Sequence, residues 1–121
     1  MRIISFSKKW DKLKQPVFTT FRYPRKDRDW TVGEVVQVYY HNRSPNREKL
    51  GVAGIINKEL RKIGTAFSEY QPTESEAIAD GFKSLADMTA WFRDTHGKRI
   101  FSEPVYKLTL KWVSLPPLEV K

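Results

Sequence analysis

The chain has 121 residues and no cysteine, so disulfides and thiolate metal sites are excluded, and a reducing compartment, the cytoplasm, is the expected location. Its 40% hydrophobic and 13% aromatic content fits one globular domain, 1–121, with a core of about residues 3–113, rather than a disordered chain. The formal charge of +8 points to a polyanionic partner. No apolar run is long enough to span a membrane, and the N-terminus lacks the pattern of a signal peptide.

Ile3, Ile4 and Phe6 predict a first strand. Ser7 predicts the cap of a short helix through about Lys14, with Trp10 and Leu13 on its inner face, and Pro16 ends it. Val17 to Tyr23 reads as a strand rich in Thr, Phe and Tyr, closed by Pro24 and followed by a basic loop, Arg25 to Asp29. Residues two apart on a strand share a face, so Thr20 and Arg22 point into one pocket. A hydroxyl beside a guanidinium suits a phosphate, a carboxylate or a nucleobase edge.

Gly33 precedes a strand from Glu34 to Tyr40 that is nearly all β-branched or aromatic. A polar loop, His41 to Lys49, leads to a strand from Leu50 to Asn57 that can stay extended to Ile63. Gly51 and Gly54 predict a bulge or bend in it, and it is the place to look for a dimer, although a monomer is the expected state. Thr73 to Glu76 is a capping box for a helix that stops at Gly81. Ser84 caps a second helix ending at Gly97, with Leu85, Met88, Trp91 and Phe92 as its core stripe. Tyr106, Leu108, Leu110 and Trp112 alternate with Lys107, Thr109 and Lys111 in a last strand, and the tail after Pro116 and Pro117 is expected to fray.

Basic residues concentrate in 1–28, in Arg43, Arg47 and Lys49, and in Lys58, Arg61 and Lys62, whereas Glu69 to Asp94 is acidic. The order of elements predicts a mainly β (α+β) fold, a small closed sheet of about five strands with flanking helices. The two histidines, His41 and His96, lie far apart and no ligand spacing is present, so no metal and no cofactor are expected.

Thr20-x-Arg22, Gly33-Glu34-Val35-Val36, Asp80-Gly81-Phe82 before a Trp91-Phe92 helix, and a closing Tyr-Lys-Leu-Thr-Leu strand together resemble the ASCH domain of the PUA-like superfamily. The resemblance covers about residues 3–113. It implies a small β-barrel with helices that binds RNA or another single-stranded nucleic acid. For some members it implies instead an amidohydrolase that deacylates a modified nucleoside such as acetylated cytidine.

The family's Gly-x-Lys-x-x-Thr-x-Arg motif, set on Thr20 and Arg22, places Gln15 at the glycine and Val17 at the catalytic lysine. The implied catalytic carboxylate falls at Asp80, an aspartate where a glutamate is the family expectation. Valine cannot activate a threonine hydroxyl, which needs a base within hydrogen-bond reach. Binding is therefore expected ahead of catalysis, with Lys14 as the nearest lysine able to assist Thr20 and Asp80 in a hydrolase. For binding, Thr20 and Arg22 form the floor, Asp80 accepts from a base amine, and Tyr40 offers a stacking surface. Lys8, Lys9, Arg25, Lys26 and Arg28 hold phosphates. No membrane partner is expected.

Overall fold

In the computed structural model, which describes residues 1–8, 10–41, 44–63 and 69–113, five strands form one sheet curled into a half-barrel, flanked by three helices. The strands are β1 (Ile3–Phe6), β2 (Val17–Arg22), β3 (Val35–Tyr40), β4 (Glu48–Arg61) and β5 (Val105–Trp112), in the order β1-β3-β4-β5-β2. β1 lies parallel to β3, and the other three pairings are antiparallel. The helices are α1 (Glu74–Ala79), α2 (Leu85–His96) and α3 (Arg99–Ser102). The expected tail, Arg43 and Lys9 lie outside the described residues.

The strand periodicity sets two apolar clusters. Ile4, Phe6, Phe18, Val36, Val38, Ile55, Leu108, Leu110 and Trp112 fill the hollow of the sheet, with Trp30 and Leu13 as plugs from outside the strands. Phe21, Ile63, Ala77, Met88, Phe92, Ile100 and Val105 join the helices to one end of the sheet. β2 contributes to both, because Phe18 and Phe21 occupy opposite faces of one strand.

The expected caps of α1 and α2 form. Thr73 Oγ1 accepts from Glu76 N at 3.1 Å while Glu76 Oε1 accepts from Thr73 N at 3.0 Å, which satisfies two otherwise orphaned donors of α1. Ser84 Oγ accepts from Asp87 N at 3.1 Å, and Glu74 accepts from Leu85 N at 3.0 Å, tying α1 to the start of α2. Gly51 lies where the β3–β4 register shifts between Val38 and Tyr39, as its place inside a strand predicts. The Trp112 ring lies 2.9 Å from where a Cβ at Gly51 would stand, so the indole occupies the room a side chain would need.

Two expectations are corrected, the Ser7 cap and the packing of Trp91. Ser7 caps no helix: among the described residues before β2 the helical element is a single 3-10 turn, Asp11–Lys14, with Trp10 at its start and no side-chain cap. The strand expected over 50–57, with its extension toward Ile63, runs from Glu48 to Arg61 in the middle of the sheet, pairing with β3 over 48–54 and with β5 over 53–61. Trp91, placed in the core stripe, is 39% exposed because it faces a cleft rather than the core. The short α3 was not expected.

Candidate functional site

Between the two apolar clusters lies a cleft of about 1140 Å³. Its floor carries Thr20 and Arg22 from β2, Lys12 from the 3-10 turn and Asp80 from the loop after α1. Trp10, Phe82 and Trp91 make one wall: the Trp10 and Phe82 rings lie 5.3 Å apart, and those of Phe82 and Trp91 5.8 Å apart. Phe6, Tyr23 and Trp30 also line the cleft.

Three of the four floor residues are buried, with Thr20 4%, Asp80 5% and Lys12 9% exposed. Lys12 Nζ donates to Asp80 Oδ1 at 3.0 Å, and Thr19 Oγ1 donates to the same oxygen at 3.1 Å. Burial pushes the Asp80 carboxyl above its ordinary pKa, against the pull of Lys12 and of the Thr19 hydroxyl. The same burial lowers the Lys12 ammonium, opposed by Asp80. Burial thus biases each partner toward its neutral form, while their mutual attraction opposes that bias.

Arg22 makes no such pair. Its Nε donates to Thr20 Oγ1 at 3.0 Å and its Nη2 to the Ser5 carbonyl oxygen at 2.9 Å. Among the described residues no carboxylate stands within 4 Å of it. Desolvation lowers its pKa to about 10, and the more distant Asp80 raises it, so the guanidinium stays charged at neutral pH. A cation held over the Phe6 ring at 4.8 Å without a counter-ion is complementary to an anion or a carbonyl oxygen.

Gly81 allows the wall to close on the floor. Its φ of +111° lies in the region that favours glycine, and a Cβ there would stand 2.6 Å from the Trp10 ring. Trp10, Lys12 and Phe82 also line a second space of about 560 Å³ on the other side, together with Val17 and Thr19.

The structure sorts the sequence-based candidates. Thr20, Arg22 and Asp80 meet on the floor, with Thr20 and Arg22 on one face of β2. Asp80 is a buried partner of Lys12 rather than a free acceptor at the cleft's edge. Lys14, the expected assisting lysine, is exposed and reaches back to Asp11 at 3.6 Å, away from the floor. Lys12 occupies that place instead. A 3-10 turn advances about 120° per residue, which turns Lys12 and Leu13 inward and Lys14 outward. Val17, at the motif's lysine position, is 43% exposed at the start of β2.

Tyr40 does not line the cleft; it packs against the sheet's core with its ring 4.1 Å from that of His41. Trp10, Phe82 and Trp91, not Tyr40, form an aromatic wall of the cleft. Lys8 sits over the Trp10 ring at 4.5 Å, Arg25 is an exposed partner of Asp27, and Lys26 and Arg28 are exposed on the same loop. Lys12 had no local signal, since its burial depends on a carboxylate 68 residues away.

No protein-family model, no curated protein and no solved structure matches this chain. Among the described residues, no helix is long and apolar enough to cross a membrane, and no group of three or more His, Asp or Glu residues is placed to hold a metal ion.

Proposed function

We propose that the chain binds single-stranded nucleic acid, RNA in the first instance, by taking one base into the aromatic cleft. The observation that carries this reading is the floor itself. A charged guanidinium without a carboxylate partner lies beside a buried Thr20 hydroxyl, beneath the Trp10, Phe82 and Trp91 rings. Aromatic walls accept the π-face of any base, and the polar floor reads its edge. Arg25, Lys26 and Arg28 on the neighbouring loop would meet the backbone phosphates.

The test is fluorescence anisotropy with a short single-stranded RNA at two salt concentrations. Binding should weaken steeply with salt. Arg22→Ala should weaken it about 10- to 100-fold, the range for a lost charge-assisted hydrogen bond. Unchanged binding by Arg22→Ala would remove the floor from the reading.

The position of Lys12 favours a second reading, an amidohydrolase acting on an acylated nucleobase such as that of acetylated cytidine. Burial biases the Lys12 ammonium toward the neutral amine, which is a competent general base. In this reading Thr20 Oγ attacks the acyl carbonyl carbon and its proton passes to the Lys12 amine. Arg22 stabilises the developing oxyanion. The base amine leaves with that proton, and water then hydrolyses the acyl ester on Thr20. Release of acetate from acetylated cytidine, abolished by Thr20→Ala, is the expected result. No release by the unmodified protein would end this reading.

A further inference from the structure

Two buried polar atoms belong to residues that line the cleft and take no part in its floor. The Tyr23 hydroxyl and the Trp30 indole Nε1 are both enclosed, and neither has a hydrogen-bond partner among the described residues. Both residues line the same cleft as Thr20 and Arg22. Orphaned buried polar groups are uncommon, because losing water without gaining a partner is costly, and each calls for a partner such as water, an ion or a ligand.

The chemistry around them narrows the partner. Indole Nε1 is a donor only. Burial holds the Tyr23 phenol above its ordinary pKa, so it is a neutral donor at physiological pH. Their charged neighbours are donors too: Arg99 lies over the Tyr23 ring at 4.0 Å, and Arg2 and Arg25 lie over the Trp30 ring at 4.5 and 5.4 Å. The cleft is lined by five Arg and Lys residues against two carboxylates, Asp27 and Asp80. Asp80 is committed to Lys12, and Asp27 to Arg25. The Arg25 and Arg99 ion pairs, with Asp27 and Glu103, are largely exposed and exchange readily for a stronger anion. What is missing is an acceptor with several oxygens and negative charge.

We propose that the cleft holds a phosphate subsite, in which the Tyr23 O–H and the Trp30 Nε1–H donate to the phosphate of the nucleotide whose base rests on the floor, with Arg25 and Arg99 supplying the charge. The subsite rests on the base-binding reading and specifies its ligand as a nucleotide, free or within a strand, rather than a bare nucleoside. It separates the roles of the two parts of the cleft: the floor takes the base, and the orphaned donors take the phosphate.

The experiment is calorimetric titration of the full chain with cytidine, cytidine 5′-monophosphate, cytidine 3′-monophosphate and ribose 5-phosphate. One of the two monophosphates should bind at least about tenfold tighter than cytidine. Tyr23→Phe removes one oxygen atom, preserves the ring and leaves the net charge unchanged. It should abolish that preference, keep the affinity for cytidine, and leave the melting temperature equal or higher, because an unpaired buried hydroxyl is gone. Trp30→Phe should act in the same direction.

Equal affinity for cytidine and both monophosphates, or a preference that survives Tyr23→Phe, would overturn the subsite while leaving base binding in place. Binding of ribose 5-phosphate that Tyr23→Phe abolishes, without any binding of cytidine, would support the subsite and remove the base reading. Failure of all four probes to bind would overturn both.

Discussion

Asp80→Leu is expected to lower the unfolding free energy by about 3–5 kcal/mol, the usual cost of leaving one member of a buried ion pair alone. Lys12 is buried and its only ion-pair partner among the described residues is Asp80, so the variant must either keep an uncompensated ammonium or deprotonate it. The loss would consume a large share of the stability of an ordinary domain, about 5–15 kcal/mol. Adding Lys12→Met should recover most of the loss, because two apolar side chains of similar length need no desolvation. Urea denaturation followed by tryptophan fluorescence measures both. A cost below about 1 kcal/mol for the single variant would mean that the pair is solvated. Recovery of stability together with loss of ligand binding would show that the pair is kept for its chemistry and not for the fold.

The second large effect lies away from the cleft and depends on pH. Glu76 accepts from Arg61 Nη2 at 2.7 Å, from Arg61 Nε at 3.1 Å, from Lys107 Nζ at 3.0 Å and from the Thr73 backbone N–H. Chiefly through the Arg61 hydrogen bonds, with the Thr73 backbone and Lys107 adding to them, its pKa falls from 4.5 to about 2 despite the opposing effect of burial. The folded value lies below the unfolded one, so the stabilisation is complete above pH of about 5. It is lost as the pH falls toward 2. Each pKa unit corresponds to about 1.4 kcal/mol, so the group supplies at most about 3.5 kcal/mol at neutral pH. Glu76→Gln is expected to lose much of this at pH 7 and to flatten the acid limb of the stability profile between pH 5 and 2. An acid limb with the slope of the unmodified protein would assign acid sensitivity to other carboxylates.

Much of the fold can be read locally, and most of the site cannot. β5 announces itself by strict alternation from Tyr106 to Trp112, and the capping residues Thr73, Glu76 and Ser84 mark the starts of α1 and α2 within a residue. Thr20 and Arg22 share a face because strand geometry requires it. Lys12 escapes such reading, since nothing in Trp10 to Lys14 distinguishes a 3-10 turn from the first turns of a helix. Its burial is decided by Asp80, far along the chain. The Tyr23 hydroxyl and Trp30 Nε1 escape for the same reason: an unpaired donor is defined by what fails to approach it in three dimensions.

The strand order has a consequence for the growing polypeptide. In the sheet β2 neighbours β5 alone, and Thr20 stands opposite Leu108. During synthesis from the N-terminus, β1, β3 and β4 can pair as they emerge, but β2 must wait for residues 105–112 before it joins any sheet. Asp80 must also dock before Lys12 can lose its water. The cleft floor is therefore among the last parts of the molecule to take shape, and a ribosome-bound chain that stops short of β5 carries Lys12, Thr20 and Arg22 without the strand that completes their surroundings.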